Sequence, residues 1–191
     1  MMKKKEKKHI VLLVLASFLS IIIPAFVIVG LPLIILISEA NTNDTINNVS
    51  KFLKDKVEID IKGCRVKENI DTHFIADGEV YITLDCSNKS KYISKQISNW
   101  NKLPLSDNLK IELYGGYEDE STYRTGILED NEDYTMPVIS NGYYYFVDKQ
   151  NKEAEKHSDK YLLDDDRYSF NYYIAIYDID TNKLYYIEDD T

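Results

Sequence analysis

Polar and apolar residues are distributed unevenly along this chain of 191 residues. Residues 10–37 form an uncharged run of 28, interrupted only by Ser17, Ser20, Pro24, Gly30 and Pro32. That exceeds the roughly 18 apolar residues that mark a membrane-spanning helix. As a helix the run measures about 42 Å against roughly 30 Å of hydrocarbon, so tilt or a kink at Pro24 must absorb the excess. The expectation is one transmembrane helix over 10–37, with a basic tag at 1–9 before it and a polar, Asn-rich tether at 38–50 after it. A rival reading is a secretory signal cleaved near Ser38-Glu39-Ala40. Its apolar core, however, would need only about 7–15 residues.

From residue 51 the pattern becomes that of a folded domain. Ile46, Val49, Leu53 and Val57 fall at helical spacing and predict a short helix capped near Asp44 or Thr45. Val57, Ile59 and Ile61 then alternate with charged residues, which predicts a strand, with a bulge at Gly63 to bring Cys64 and Val66 onto the same face. Asp77-Gly78 reads as a turn into a second strand that carries Val80, Ile82, Leu84 and Cys86 on one side. Ile93, Ile97 and Trp100 mark a helix over 88–100, stopped by Leu103-Pro104-Leu105. Leu109, Ile111 and Leu113 alternate and predict a strand ending at Gly115-Gly116.

The acid-rich segment 117–133 reads as an exposed loop. Asn141-Gly142, between strand-like runs at 136–140 and 143–147, predicts a hairpin. A polar loop over 148–167 follows, and 172–179 with 184–187 form a second hairpin through Asp180-Thr181-Asn182-Lys183. Consecutive residues of a strand face opposite ways, so Tyr143, Tyr144 and Tyr145 cannot all share one side. The fold class that emerges is α+β: a single N-terminal transmembrane helix, then one domain at 51–191 with an antiparallel sheet and one or two helices.

Charge sets the orientation. The first nine residues hold five lysines and one glutamate, whereas the remainder holds 18 basic against 31 acidic residues. Lysines gathered before the span keep that end in the cytoplasm, so the expected location is the cell membrane, single-pass, with the C-terminal domain outside. The acidic domain argues against nucleic acid as a partner, since phosphates require Lys and Arg. Cys64 and Cys86 are the only cysteines. Outside the membrane they allow a disulfide closing a loop worth about 3 kcal/mol, and the alternative is two buried thiols.

Catalytic and metal signatures are sparse. Asp178, Asp180 and Asn182 have the spacing of the first calcium-loop ligands, but Lys183 and Asp189 stand where that loop needs glycine and glutamate, and a solvated turn accounts for the same residues. Asp164-Asp165-Asp166 reads as a solvated loop. His73 and His157 are the only histidines beyond the tag, and neither sits in a recognisable catalytic motif. The chain therefore reads as a membrane-anchored, extracytoplasmic, non-catalytic binding module without a cofactor or metal. It would bind the bilayer through 10–37 and a protein partner at the envelope, as an inhibitor, an immunity factor or a subunit of an envelope complex. The alternative is an extracytoplasmic hydrolase-like enzyme using His157 or His73 with a carboxylate.

Overall fold

The computed structural model describes residues 31–73, 77–129, 134–164, 166–167 and 169–191. The basic tag, and the expected span up to residue 30, lie outside the described residues. Among those described, no helix is long and apolar enough to cross a membrane. The chain divides into two compact units, Met1–Asn48 and Val49–Thr191. Helix α1 covers Leu31–Val57, so residues 38–50 are helical and no cap forms at Asp44 or Thr45.

Within the second unit, Val49, Leu53 and Val57 are buried at the predicted spacing. Glu58 ends α1 in the left-handed conformation (φ 58°), a common helix stop, and Lys54 and Lys56 in the last turn suit the negative end of the helix dipole.

The strand expected over 57–61 does not form, although Ile59 and Ile61 are buried. Its backbone is satisfied by a side chain instead of a neighbouring strand. Gln96 accepts from the Asp60 N–H at 2.8 Å and donates to the Asp60 carbonyl at 3.0 Å. Gly63, at φ 87°, makes a tight turn in which Cys64 N–H bonds to the Ile61 carbonyl. The bulge falls later than expected, between Val66 and Glu68 of strand β1 (Arg65–Asp71).

Among the described residues the fold is α+β with three α-helices and one main sheet. Strands β2 (Gly78–Asp85), β6 (Gly142–Asp148), β7 (Asn171–Asp178) and β8 (Lys183–Asp190) are its inner members. With β1 and the two-residue β3 (Asn101–Lys102) the order is β1-β2-β8-β7-β6-β3, and every pairing is antiparallel. Strand alternation then divides the core in two. On face one, Val80, Ile82, Leu84, Ala175, Tyr177, Leu184 and Tyr186 meet the end of α1 and helix α2 (Ser90–Gln96) with Ile97 and Trp100. On face two, Tyr81, Phe146, Tyr172, Ile174, Ile176, Tyr185 and Ile187 meet α3 (Asp107–Tyr114) and the segments around Ile127, Tyr134, Met136 and Leu162.

Two expectations need correction here. Residues 109–113 are helical. Ser106 caps α3 by accepting from the Leu109 N–H at 3.2 Å, and Leu109, Glu112 and Leu113 share its buried side at i, i+3, i+4. Asn141-Gly142 is not a hairpin turn, since the described residues before it, 134–141, form no strand. Gly142 opens β6 against Asp178, where a Cβ would lie 2.0 Å from the Tyr177 carbonyl oxygen. Glycine is needed there for close approach of two backbones.

The remaining expectations fare better. Residues 88–100 hold a shorter helix with Ile93, Ile97 and Trp100 buried. The closing hairpin β7–β8 is present, and Tyr144 packs on face two while Tyr143 and Tyr145 pack on face one. The loop at 117–133 contains a minimal pair, β4 (Gly116–Tyr117) and β5 (Tyr123–Arg124), while 130–133 lie outside the described residues.

Candidate functional site

A cleft of about 320 Å³ opens at the end of face two, lined by Glu79, Glu112, Arg124, Thr125, Ile127, Phe170 and Asp189. Each carboxylate arrives from a different element. Glu79 lies near the start of β2, Asp189 near the end of β8 and Glu112 on the inner side of α3. Glu79 and Asp189 are direct cross-strand partners, which places two like charges opposite each other, an arrangement that disfavours folding. Asp189 is only 6% exposed and its Oδ1 has no hydrogen-bond partner. Among the described residues the only other such buried side-chain atom is Asn171 Oδ1.

The surroundings tune these acids. The Tyr172 hydroxyl donates to Glu112 Oε1 at 3.0 Å, and the Tyr81 hydroxyl donates to Glu79 Oε2 at 2.7 Å. Burial pushes the Glu112 carboxyl up to about 7; the Tyr172 bond opposes this and the Asp189 charge adds to it. Burial, then the charges of Glu79 and Asp190, push Asp189 up to about 6. Arg124 gives Nη2 to the Leu163 carbonyl and Nε to Glu118, so both of these nitrogens serve the wall of the cleft.

The residues singled out from sequence lie elsewhere. His73 Nδ1 is 2.7 Å from Asp71 Oδ1 on an exposed stretch. His157 donates Nδ1–H to the Phe146 carbonyl at 2.8 Å and sets its ring edge against Tyr145. Neither lines the cleft. Asp178 is occupied by its own turn, accepting from the Asp180 N–H and the Thr181 hydroxyl, while Asn182 accepts from Tyr177. The Asp164 carbonyl accepts from the Arg167 N–H, and Asp165 lies outside the described residues.

Among the described residues, no three His, Cys, Asp or Glu side chains are grouped to hold a metal ion. Cys64 and Cys86 are brought together with their sulfurs 2.13 Å apart, at disulfide distance. Sequence reasoning missed all three cleft carboxylates. One signal was present for Glu112, a charged residue on the apolar side of a capped helix. No family model, curated protein or solved structure matches the chain.

Proposed function

We propose that the chain is a membrane-tethered binding module whose domain lies outside the cell membrane and engages a protein partner through the acidic cleft, without catalysis. The observation that carries this reading is Asp189, a buried carboxylate facing Glu79 and holding an oxygen without a partner. Folding alone gives no reason to keep such a group, whereas a binding site does. The uncharged run at 10–37 and the lysines before it support the tether and its orientation. A cysteine pair at disulfide distance suits an oxidising compartment.

Two measurements test this. Protease added to intact cells should digest residues 51–191 and spare the lysine-rich end; the reverse pattern removes the topology. A photo-crosslinking residue at exposed Thr125, on the cleft, should capture one protein in cells, and the same group at Val138 (79% exposed) should not.

One observation favours a second reading. A carboxyl held up to about 7, as Glu112 is, suits a general acid. An extracytoplasmic hydrolase would then use Glu112 in place of His73 or His157, and hydrolytic turnover abolished by E112Q would establish it.

A further inference from the structure

We infer that the packing of α3 against face two is a proton-operated latch. Ionisation of Glu112 and Asp189 favours a form in which the C-terminal end of α3, with the β4–β5 pair, swings off the sheet and widens the cleft. This concerns how the cleft opens and stands whether or not a partner enters it.

The cleft is a seam between two parts of the domain. Glu112 on α3, with Arg124 and Ile127 after it, forms one side, while Glu79 and Asp189 on the sheet form the other. The first side holds together by itself. The Glu112 and Leu113 carbonyls accept from the Ile127 and Leu128 N–H groups at 2.9 and 3.0 Å, so α3 and the segment after it travel as one body. Its N-terminal end is fixed, because Ser106 donates to Asp159 Oδ2 and Asn108 Nδ2 donates to the Asp159 carbonyl at 3.0 Å. A body tied at one end rotates about that end. The sheet is the stationary part, since β2, β8 and β7 each carry a ladder on both sides.

The acids stand across the seam. The Tyr172 hydroxyl, which donates to Glu112 Oε1 at 3.0 Å, is a bolt between α3 and β7. Glu112 is 9% exposed and Asp189 6%, and Asp189 Oδ1 has no hydrogen-bond partner. With both carboxyls protonated the closed seam holds no charge on either. Ionised, they are two buried like charges, and moving α3 outward relieves both by admitting water. Glu112 meets Tyr172 from β7, Asp189 from β8, and Arg167 and Arg124. Asp189 meets Glu79 from β2, Asp190 from β8, and Arg167 and Lys149. The cations and the Tyr172 bond favour the charged forms, but burial and the neighbouring acids outweigh them and hold the two carboxyls at about 7 and about 6. Both values are raised by folding, so the closed form is favoured in acid and loses ground as pH climbs through them. The bonds from Arg124 to the Leu163 carbonyl and from Tyr114 to the Pro137 carbonyl end on neutral acceptors, and they hold the closed form without sensing these protons.

Amide hydrogen exchange of the full chain in detergent, corrected for the intrinsic pH dependence of exchange, tests this between roughly pH 5 and roughly pH 8. Protection of the Leu113, Gly115, Ile127 and Leu128 amides should fall about a hundredfold over that range. The Leu84 amide of β2 and the Ile97 amide on face one should keep theirs. E112Q retains an acceptor for Tyr172 without the charge and should cut the fall to about tenfold, and adding D189N should remove the remainder. Y172F, which withdraws the bolt alone, should raise exchange at the same amides about tenfold at both ends of the range.

Protection there that is independent of pH overturns the latch. So does a fall shared equally by Leu84 and Ile97, which is unfolding of the whole domain, or a fall that E112Q leaves unchanged. None of these outcomes bears on the Thr125 crosslink, which tests binding separately.

Discussion

Glu188 and Asp189 are consecutive residues of β8, both buried, and the fold treats them in opposite ways. Glu188, on face one, receives Lys56 at 2.6 Å, Lys149 at 2.8 Å and the Tyr186 hydroxyl at 2.7 Å. Burial pulls its carboxyl upward, but these bonds outweigh burial and hold it below the usual glutamate range. Asp189, on face two, looks across at Glu79, keeps one oxygen unbonded and is pushed up to about 6. Burial is similar in the two cases, so the supply of partners decides the outcome. Face one supplies its buried acid with partners, whereas face two leaves one oxygen of its buried acid without any.

The largest expected effect comes from stripping Glu188 of its cations. K56M/K149M leaves that carboxylate with Tyr186 alone and should cost about 3–5 kcal/mol near neutral pH in urea unfolding. Because the folded value of Glu188 is depressed, the stability it contributes is present at neutral pH and lost as pH falls through that value. The deficit of the double variant should therefore shrink in acid. A deficit independent of pH would mean that lost packing, not charge, separates the two residues.

Next in size is C64A/C86A. Removing a link between residues 22 apart should cost about 3 kcal/mol. Both cysteines belong to the face-one core, so the titration of Glu112 followed by NMR should not move. A change there would show that the two faces are not independent.

E112Q should act in the opposite direction. The folded carboxyl is raised from 4.5 to about 7, so the native state is favoured below about 4.5 and loses stability as pH climbs toward 7. The glutamine still accepts from Tyr172 and carries no charge. It should gain about 2–3 kcal/mol at roughly pH 8 and nothing near pH 4. Loss of stability at the higher pH would refute the assignment of Glu112 as a strained acid. Smallest is S106A, which removes the cap of the helix carrying Glu112 and should cost about 1 kcal/mol.

The long inner strands were legible because their alternation is complete. Val80, Ile82, Leu84 and Cys86 share a side as their spacing predicts, and the closing hairpin follows from its turn residues. Helix α3 was misread because Leu109, Ile111 and Leu113 satisfy period two while Leu109 and Leu113 also satisfy i, i+4. Over five residues the two periods cannot be separated, and Ser106-Asp107, a cap and a first-turn acid, was the deciding signal. Asn141-Gly142 misled because a glycine required for close approach is indistinguishable in sequence from one required for a turn. Apart from Glu112 on the apolar side of its capped helix, the cleft left no local trace, since its acids stand at positions 79, 112 and 189, on two strands and a helix that meet only in the folded domain. The cysteine pair was accessible because antiparallel pairing of β1 with β2 places both residues just past the Arg65–Asp85 pair.

The margins of the sheet carry a consequence for how this protein meets others. One border, β1, is kinked between Val66 and Glu68 and studded with Arg65, Lys67 and Glu68; the other, β3, is two residues long. Such borders discourage a foreign strand from docking by backbone ladder, which guards against fibrillar stacking of copies.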